Sequence, residues 1–263
     1  MAKIAILSDI HGNGEALNVV LDKCRTLGIE KFISLGDIVG YNADPVYCLH
    51  TVQQLDFLAM VRGNHDEYAV AGDIATSGFN QSAKIAIDWT RAQLSDEDRS
   101  YLAATPYRTQ LQNITLVHAT LDTPENWGYI FDVHHAADNF HYQFNQLCFC
   151  GHSHVPVAFQ RVPLSESGNR PVEILNDWID QECDFNSPAE ATIEYKKFHK
   201  YLFNIGSIGQ PRNGDPRASF AVIDTDKCLV TRYMLPYDIA AIQERNLAAG
   251  LPERLAYRLA MGN

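Results

Sequence analysis

Residues 3–13 read KIAILSDIHGN, an apolar run that ends in an acid and a histidine. Residues 3–7 have the composition of a short buried strand, and Asp9 and His11 follow it directly. The same arrangement recurs further along: the apolar runs 31–35, 57–61, 114–117 and 147–150 precede GDIVG, RGNHDE, HAT and GHSH. Strand-like segments that end in chemically active side chains therefore dominate the chain up to residue 154.

Between these runs lie segments with apolar residues at helical spacing, 14–27, 44–55 and 78–94. Ser95 followed by Asp98 has the pattern of a capping box and predicts the start of another helix. Alternating strands and helices indicate parallel strands with crossover helices. Ligands of such sheets bind at the carboxyl ends of the strands. We therefore expect the five polar clusters to converge on one site.

After Pro156 the pattern changes to strand following strand, which favours antiparallel pairing. The predicted strands are 155–162, 172–175, 192–198, 200–205, 219–225 and 228–235. Residues 163–191 form an acidic insertion within this region, and helical patterns at 237–248 and 252–261 occupy the closing part, 237–263. Since no internal repeat or flexible linker is evident, we expect residues 1–263 to form a single domain with two sheets.

Composition restricts the possible functions. The 263 residues are 46% apolar and 20% charged, and without a long apolar run they predict no membrane span. A net charge of −11 argues against binding a nucleic-acid polymer, which needs clustered lysine and arginine. A small phosphorylated substrate stays compatible, because bound metal ions dominate the local field. No secretory signal is evident and the six cysteines lack C-x-x-C spacing, so we expect a cytoplasmic protein with reduced thiols.

The GHSH cluster places His152 and His154 one residue apart. In an extended segment alternate side chains share a face, so the two imidazoles would reach one cation, or one each of two adjacent cations. The alternative is a polar loop whose histidines face water. A motif this short does not decide between these interpretations alone.

The strand-end residues form an ordered series of motifs. They are Asp9 and His11 in D-x-H, Asp37 in G-D, Asn64, His65 and Asp66 in G-N-H-D, His118, and then His152 and His154 in G-H-x-H. This series resembles the calcineurin-like metallophosphoesterase superfamily and covers residues 9–154. The resemblance implies an α/β fold, a four-layer α/β/β/α sandwich of two mixed β-sheets flanked by helices. Acids that merely cap helices and histidines that merely fill a core would require five coincidences.

The resemblance also implies two divalent or mixed-valence metal ions. Metal one would take Asp9, His11, Asp37 and His154, and metal two would take Asp37, Asn64, His118 and His152. Carboxylate oxygen and imidazole nitrogen suit Mn, Fe or Zn, and the sequence does not choose among them. Two such ions with two carboxylates leave a positive centre that would attract a phosphoryl group, and the ions can activate a bridging hydroxide.

Further roles follow from the same resemblance. His65 would donate a proton to the leaving group or stabilise the transition state, with Asp66 orienting it, although it could instead be a structural hydrogen bonder. Arg62 resembles the phosphate-binding arginine of RGNHE in the protein-phosphatase branch, but it could equally pair with a surface acid. Residues 204–220, NIGSIGQPRNGDPRASF, resemble the NPGSxxQPR segment of the small bacterial phosphodiesterase and diadenosine-tetraphosphatase-like branch, with Ile205 replacing the proline. Arg212 would either reach a second phosphate or brace this loop.

Residues 122–146 have no assigned role in these motifs. Asn126, Trp127 and Tyr129 lie just beyond His118, where an aromatic ring could stack on a nucleobase or simply pack. The histidines of the following helix-like stretch match no ligand position, and we expect solvated or lid positions for them: they are His134, His135 and His141.

The sequence thus predicts a metal-dependent phosphoesterase that hydrolyses a phosphodiester or phosphoanhydride of a small nucleotide-type substrate. A serine/threonine protein phosphatase is the alternative, motivated by RGNHDE. A non-catalytic interaction module on the same fold would be expected to lose metal ligands or His65, and all of these residues are present. The exact substrate and the oligomeric state stay open.

Overall fold

The computed structural model describes residues 3–71, 81–163, 172–178 and 184–263, and in these ranges it contains two sheets of six strands each. The strands are β1 Ile4–Leu7, β2 Lys31–Ser34, β3 Phe57–Met60, β4 Arg108–Leu111, β5 Ile114–Val117, β6 Leu147–Cys150, β7 Val157–Arg161, β8 Val172–Ile174, β9 Ala189–Glu194, β10 Lys200–Asn204, β11 Ala218–Asp224 and β12 Leu229–Leu235. The helices are α1 Gly14–Thr26, α2 Pro45–Gln53, α3 Asn64–Val70, α4 Gln81–Gln93, α5 Asp96–Ala103, α6 Val133–Tyr142, α7 Ile239–Ala248 and α8 Glu253–Tyr257.

Both sheets are mixed. The first has the order β3-β2-β1-β11-β12-β9, with β1, β2 and β3 parallel and the remaining pairs antiparallel. The second has the order β4-β5-β6-β10-β7-β8, with β5, β6 and β10 parallel. The carboxyl ends of the parallel strands in each sheet therefore provide the two edges on which a site can be built.

Alternation along the strands separates the core into layers. In β1, Ile4 and Ile6 belong to the cluster that also contains Phe149 and Phe203 of the second sheet, whereas Ala5 and Leu7 pack with the helices. Along β6, Cys148 and Cys150 face the cluster that includes helix α6. Because side chains of a strand alternate between faces, this pattern places one core between the sheets and one outside each of them. The α/β/β/α sandwich predicted from the sequence is confirmed.

Several elements differ from their predictions. The strand predicted at 192–198 is Ala189–Glu194, and β4 and α3 were not anticipated, because RTQL is polar and NHDEYAV is occupied by polar site residues. Antiparallel pairing holds for most late strands, but β10 also pairs in parallel with β6. The helix predicted at 252–261 is α8 followed by a 3₁₀ turn, Arg258–Met261. The beginning of the helix predicted at 78–94 lies outside the described residues.

Five of the six cysteines lie in the described residues, and all five are free. Cys24, Cys48, Cys148 and Cys150 are buried and free, Cys228 is half-buried and free, and Cys183 lies outside the described residues. Among the described residues, every helix is too short or too polar to cross a bilayer.

Part of the predicted acidic insertion, 163–191, belongs to the core. Residues 164–171 and 179–183 lie outside the described ranges, but Val172–Ile174 forms β8 and Trp178 is completely buried. The Trp178 indole Nε1 donates to the carbonyl of Asn204 in the second sheet, at 2.9 Å. Its own carbonyl accepts from Nε and Nη2 of buried Arg232 in the first sheet, at 3.0 and 2.7 Å. Trp178 therefore links the two sheets through hydrogen bonds to a residue of each.

We expect Trp178→Ala to lower the free energy of unfolding by about 3–5 kcal/mol, because it opens a large cavity and removes a buried hydrogen bond. Urea unfolding followed by circular dichroism measures this loss. Phe144→Ala is the matched control, since the Phe144 side chain is 83% exposed and its removal should change stability by less than about 0.5 kcal/mol. Equal effects of the two substitutions would show that Trp178 is peripheral.

Candidate metal centre

The residues predicted as metal ligands all lie at or just after the carboxyl ends of strands. Asp9 and His11 follow β1, Asp37 follows β2, Asn64 begins α3 after β3, His118 follows β5, and His152 and His154 follow β6. All seven side chains are buried. The two sheets meet here, because the Asp9 carboxylate in the first sheet accepts the backbone N–H of His152 in the second, at 3.2 Å. The structure thus brings the five remote segments together.

A first group consists of Asp9, His11, Asp37 and His154, whose potential ligand atoms lie within 4.8 Å of one another. His154 Nε2 is 3.2 Å from Asp9 Oδ1, and His11 Nε2 is 3.1 Å from His154 Nε2. The other ring nitrogens are occupied: His11 Nδ1 donates to the Val39 carbonyl at 3.1 Å and His154 Nδ1 to the Gln210 carbonyl at 2.5 Å. Since these Nδ1 atoms carry the protons, both Nε2 atoms present lone pairs to the centre.

A second group forms around Asn64. Its Oδ1 atom is 3.1 Å from His118 Nε2 and 2.9 Å from His152 Nδ1. His118 Nδ1 donates to the Leu35 carbonyl at 2.8 Å, and His152 Nε2 donates to the Trp127 carbonyl at 2.9 Å. The remaining nitrogen of each ring therefore faces the Asn64 oxygen.

Asp37 joins the two groups. Its Oδ2 atom lies 3.5 Å from His11 Nε2 and 3.3 Å from His118 Nε2, whereas its Oδ1 atom accepts the backbone N–H of His65 at 2.8 Å. Oδ2 is buried and has no well-formed hydrogen bond in the described part of the chain. A carboxylate oxygen between imidazole nitrogens of two groups is suited to bridging two cations.

Burial and neighbouring charges shift the pKa values of the site histidines and of Asp37 in different directions. Burial disfavours imidazolium and lowers the pKa of His152 to about 3, and it holds the pKa of His11 well below its ordinary value. His118 differs: although burial opposes its charge, the carboxylate of Asp37 raises its pKa to about 9. Burial also opposes ionisation of Asp37, but His118 holds the Asp37 pKa well below its usual range. A cation would take the place of the His118 proton beside an ionised Asp37, so the donor set fits divalent metal ions.

The ligand segments have an unusual backbone conformation. Asp9, His11, Asp37, His152 and His154 have φ values of 52°, 50°, 54°, 66° and 59°, the left-handed region that non-glycine residues rarely adopt. Such strain persists where the surroundings over-determine it, commonly at functional sites. The extended backbone expected at His152 and His154 is wrong, but the two rings do reach one site, with one ring in each group. Left-handed turns direct the two rings to different groups.

Asp66 does not have the role expected for it. Its Oδ1 accepts the N–H groups of Ile38 and Val39 at 2.9 and 3.3 Å, and its Oδ2 accepts those of Asp37 and Gly63 at 2.8 and 3.2 Å. Burial, together with the nearby Asp37 carboxylate, raises the pKa of Asp66 to about 7. The expectation that Asp66 orients the His65 ring is therefore corrected, because its oxygens hold the loop that carries Asp37.

His65 is buried beside the centre. Its ring lies 4.8 Å from that of His11 and 4.3 Å from that of Tyr41, and it lines the cleft described below. Burial lowers the pKa of His65 to about 4. A Cβ at Gly40 would lie 2.5 Å from His65 Nδ1, so only glycine allows this close approach. His65 thus faces the cleft in its neutral form.

Arg62 does not face the cleft. Its Nη1 donates to Glu67 at 2.5 Å, its Nε donates to the Thr105 carbonyl at 3.0 Å, and its Nη2 donates to the Ala103 carbonyl. The guanidinium also lies 5.0 Å from the centre of the Tyr107 ring. The expected phosphate contact of Arg62 is corrected to the alternative, an ion pair that braces the segment before α3.

Arg212 does face the cleft, which has a volume of about 470 Å³ and includes Asp37, Asn64, His152 and His154 in its wall. Sequence reasoning missed two other arginines in this wall, Arg254 and Arg258. Their four-residue spacing on a predicted helix puts them on one face, but nothing in the sequence connects that face to the metal ligands.

The segment after His118 covers the second group of ligands. Tyr129 stacks on the His152 ring at 4.3 Å and on Phe131 at 5.3 Å, and the Trp127 ring lies 5.9 Å from that of His118. Asn126, Trp127 and Tyr129 line the cleft. The histidines of α6 that matched no ligand position are exposed: His134, His135 and His141.

This fold and cluster define a calcineurin-like phosphoesterase. Residues 2–228 match the calcineurin-like phosphoesterase superfamily domain, and the chain belongs to this superfamily. It is 35% identical to an uncharacterized protein of Methanocaldococcus jannaschii over 98% of both chains. It is also 35% identical to a metallophosphoesterase from Sphaerobacter thermophilus, whose crystal structure matches 99% of both chains with a TM-score of 0.81. A hypothetical protein from Pyrococcus horikoshii shares the fold at 20% identity, with a TM-score of 0.74 over 100% of this chain and 99% of the other.

We expect Asp66→Asn to lower the free energy of unfolding of the metal-free protein by about 2 kcal/mol, because an amide NH₂ would face N–H groups that the carboxylate now satisfies. Thermal or urea unfolding in the presence of chelator measures this change. Asp88→Asn, at a surface ion pair, is the control and should change stability by less than about 0.5 kcal/mol. A residue that only oriented His65 would leave the metal-free stability unchanged.

Proposed function

We propose that this protein is a metal-dependent phosphoesterase whose centre holds two divalent or mixed-valence metal ions, Mn, Fe or Zn. The reaction would be hydrolysis of a phosphodiester or phosphoanhydride bond in a small nucleotide-type substrate. One observation carries the proposal: Asp37 Oδ2 lies between His11 Nε2 and His118 Nε2, at 3.5 and 3.3 Å, and so links two groups of inward-facing acceptors.

The residues would divide between the ions as their contacts group them. Asp9, His11 and His154 would hold one ion, Asn64, His118 and His152 the other, and Asp37 both. Bound there, two adjacent ions polarise a phosphoryl group and lower the pKa of a shared water. The protein holds the ligand tautomers through backbone carbonyls, those of Val39, Gln210, Leu35 and Trp127.

His65 is the candidate catalytic residue of the chain itself. Asp37 Oδ1 accepts its backbone N–H at 2.8 Å, which fixes the start of α3 against the bridging carboxylate. The ring lines the cleft and would donate a hydrogen bond to the oxygen on which charge develops as the bond breaks. This role needs no help from Asp66.

The cleft favours a small substrate. Its volume of about 470 Å³ is within the range typical of small-molecule sites. Trp127 and Tyr129 provide aromatic surface for a nucleobase at its wall. The observation that motivated a serine/threonine phosphatase is weakened, because Arg62 is committed to Glu67. The net charge of −11 supports a small substrate over a nucleic-acid polymer, and the buried free thiols support a cytoplasmic location.

Metal analysis tests the assignment of ligands. We expect about two Mn²⁺ ions per chain in the reconstituted protein, about one in Asn64→Ala, and a deficit at both positions in Asp37→Ala, because only Asp37 is shared. Inductively coupled plasma mass spectrometry after desalting measures the content. His141→Ala, which removes an exposed histidine, is the control. Equal loss in the Asp37 and Asn64 variants would contradict the bridging role.

Substitution of His65 tests the catalytic role. We expect His65→Asn to lower kcat for bis(4-nitrophenyl) phosphate by about 10²–10⁴-fold, because the imidazole, with its N–H donor and its ability to carry a proton, is lost. Metal content should be unchanged, which separates this variant from the ligand variants. His135→Asn is the control, since His135 is exposed on α6. Unchanged kcat would exclude His65 from the reaction, and hydrolysis of a phosphopeptide alone by the native protein would favour the protein-phosphatase alternative.

A further inference from the structure

Three arginines share the cleft with the metal ligands: Arg212, Arg254 and Arg258. They come from two separate parts of the chain, the loop after β10 and the region of α8 with its following turn. The proposed metal chemistry gives no role to these three guanidinium groups. Their position beside the candidate metal centre therefore needs a separate explanation.

Arg212 is tied directly to the centre. Its backbone N–H donates to the carbonyl of the ligand His154 at 3.3 Å. Its Nη2 donates to the Tyr41 hydroxyl at 3.0 Å, and the Tyr41 ring in turn lies 4.3 Å from that of His65. The Arg212 Nε atom is buried and makes no hydrogen bond in the part of the chain that the structure describes. Arg212 thus keeps unused donor capacity next to the candidate catalytic histidine.

Arg254 and Arg258 extend the positive surface away from the centre. They lie four residues apart at the end of the chain's helical region, so they occupy one face, with Arg254 exposed and Arg258 half-buried. Arg258 Nε donates to the main-chain oxygen of Asn263, which leaves its terminal nitrogens for other contacts. Burial and the charge of Arg212 together lower the pKa of Arg258 to about 10, so it is still protonated at neutral pH.

The three guanidinium groups differ from other arginines of the described chain in their ion-pair partners. Other arginines of the chain pair with carboxylates, as Arg217 does with Asp215 at 2.7 Å and Arg245 with Glu15 at 2.9 Å. Within residues 3–71, 81–163, 172–178 and 184–263, no Asp or Glu side chain lies within 4.0 Å of a charged nitrogen of Arg212, Arg254 or Arg258. In a chain of net charge −11, three converging guanidinium groups that no described Asp or Glu side chain neutralises indicate an anionic ligand.

We propose that Arg212, Arg254 and Arg258 form a subsite for the phosphoryl groups beyond the one that is hydrolysed. The preferred substrates would then be phosphoanhydride chains, such as nucleoside or dinucleoside polyphosphates, rather than diesters with a single phosphoryl group. A guanidinium group can donate two parallel hydrogen bonds to the oxygens of one phosphate, and it keeps its charge at all relevant pH values. Hydrolysis would form a bond from a water oxygen to one phosphorus and break that phosphorus's bond to the bridging oxygen, which would leave on the other fragment; the proton lost by the water would pass to that oxygen or to solvent. This inference rests on the proposed function.

Steady-state kinetics with two substrates provide the test. One is a dinucleoside tetraphosphate, and the other is thymidine 5′-(4-nitrophenyl phosphate), which has a single phosphoryl group. We expect Arg254→Gln in the Mn²⁺-loaded protein to raise KM for the tetraphosphate about tenfold, because one charged contact is lost. The single-phosphoryl substrate should change less than twofold. Arg25→Gln is the matched control: it removes the same charge at a side chain 73% exposed on α1.

A binding measurement separates failure of this inference from failure of the proposed function. A methylene-bridged, non-hydrolysable analogue of the tetraphosphate is titrated into the Mn²⁺-loaded native protein, Arg254→Gln and Arg25→Gln by calorimetry. A tenfold weaker Kd in Arg254→Gln alone supports the subsite even if the native protein hydrolyses neither substrate, which would refute only the function. Hydrolysis in which Arg254→Gln affects both substrates equally, or neither, overturns the subsite and leaves the function standing. Absence of binding to the native protein also overturns the subsite.

Discussion

The site is organised around buried carboxylate and amide oxygens and imidazole nitrogens that face one another across a short distance. Backbone carbonyls accept the Nδ1 protons of His11, His118 and His154, so their Nε2 atoms point inward toward Asp37 Oδ2 and its neighbours. In a buried site this arrangement is costly unless positive charge occupies it, and the raised pKa of His118 shows one proton already serving that purpose. The strand ends, the left-handed turns and the cleft are all consistent with housing cations there.

Hydrogen bonds and close backbone contacts hold the buried site residues in place. Asp66 accepts three backbone N–H groups of the loop that carries Asp37 and a fourth from Gly63 before α3, and Ser207 donates its hydroxyl proton to the Asp9 carbonyl at 2.8 Å. Two close approaches leave no room for side chains: a Cβ at Gly209 would lie 1.8 Å from the Ile10 carbonyl oxygen, and one at Gly151 would lie 2.0 Å from Ser8 Oγ. These contacts over-determine the backbone, which is how strained ligand residues persist.

Local pattern was sufficient to predict the frame and much of the site. The five strands predicted before residue 154 lie within a residue of their predicted bounds, because short apolar runs bounded by polar residues favour buried strands. The series of motifs indicated which side chains would meet. The sequence pattern did not predict features that depend on contacts between distant parts of the chain. Nothing local shows that Asp66 accepts loop amides, that Arg62 pairs with Glu67, or that Trp178 in an acidic segment joins two sheets. The sequence did not identify Arg254 and Arg258 as site residues, because only the folded structure brings them beside the candidate metal centre.

The loop 207–212 touches both halves of the proposed chemistry. Gly209 N–H donates to the carbonyl of Asp9, the Gln210 carbonyl accepts from His154, and Arg212 reaches Tyr41 beside His65. A shift of this loop toward an anion at the proposed subsite would also shift the backbone groups that contact Asp9 and His154. Thermodynamic linkage makes such coupling reciprocal: an anion that tightens the grip on the ion is itself held more tightly once that ion is present. Through this loop, the proposed binding of metal and the proposed binding of a polyphosphate would be coupled.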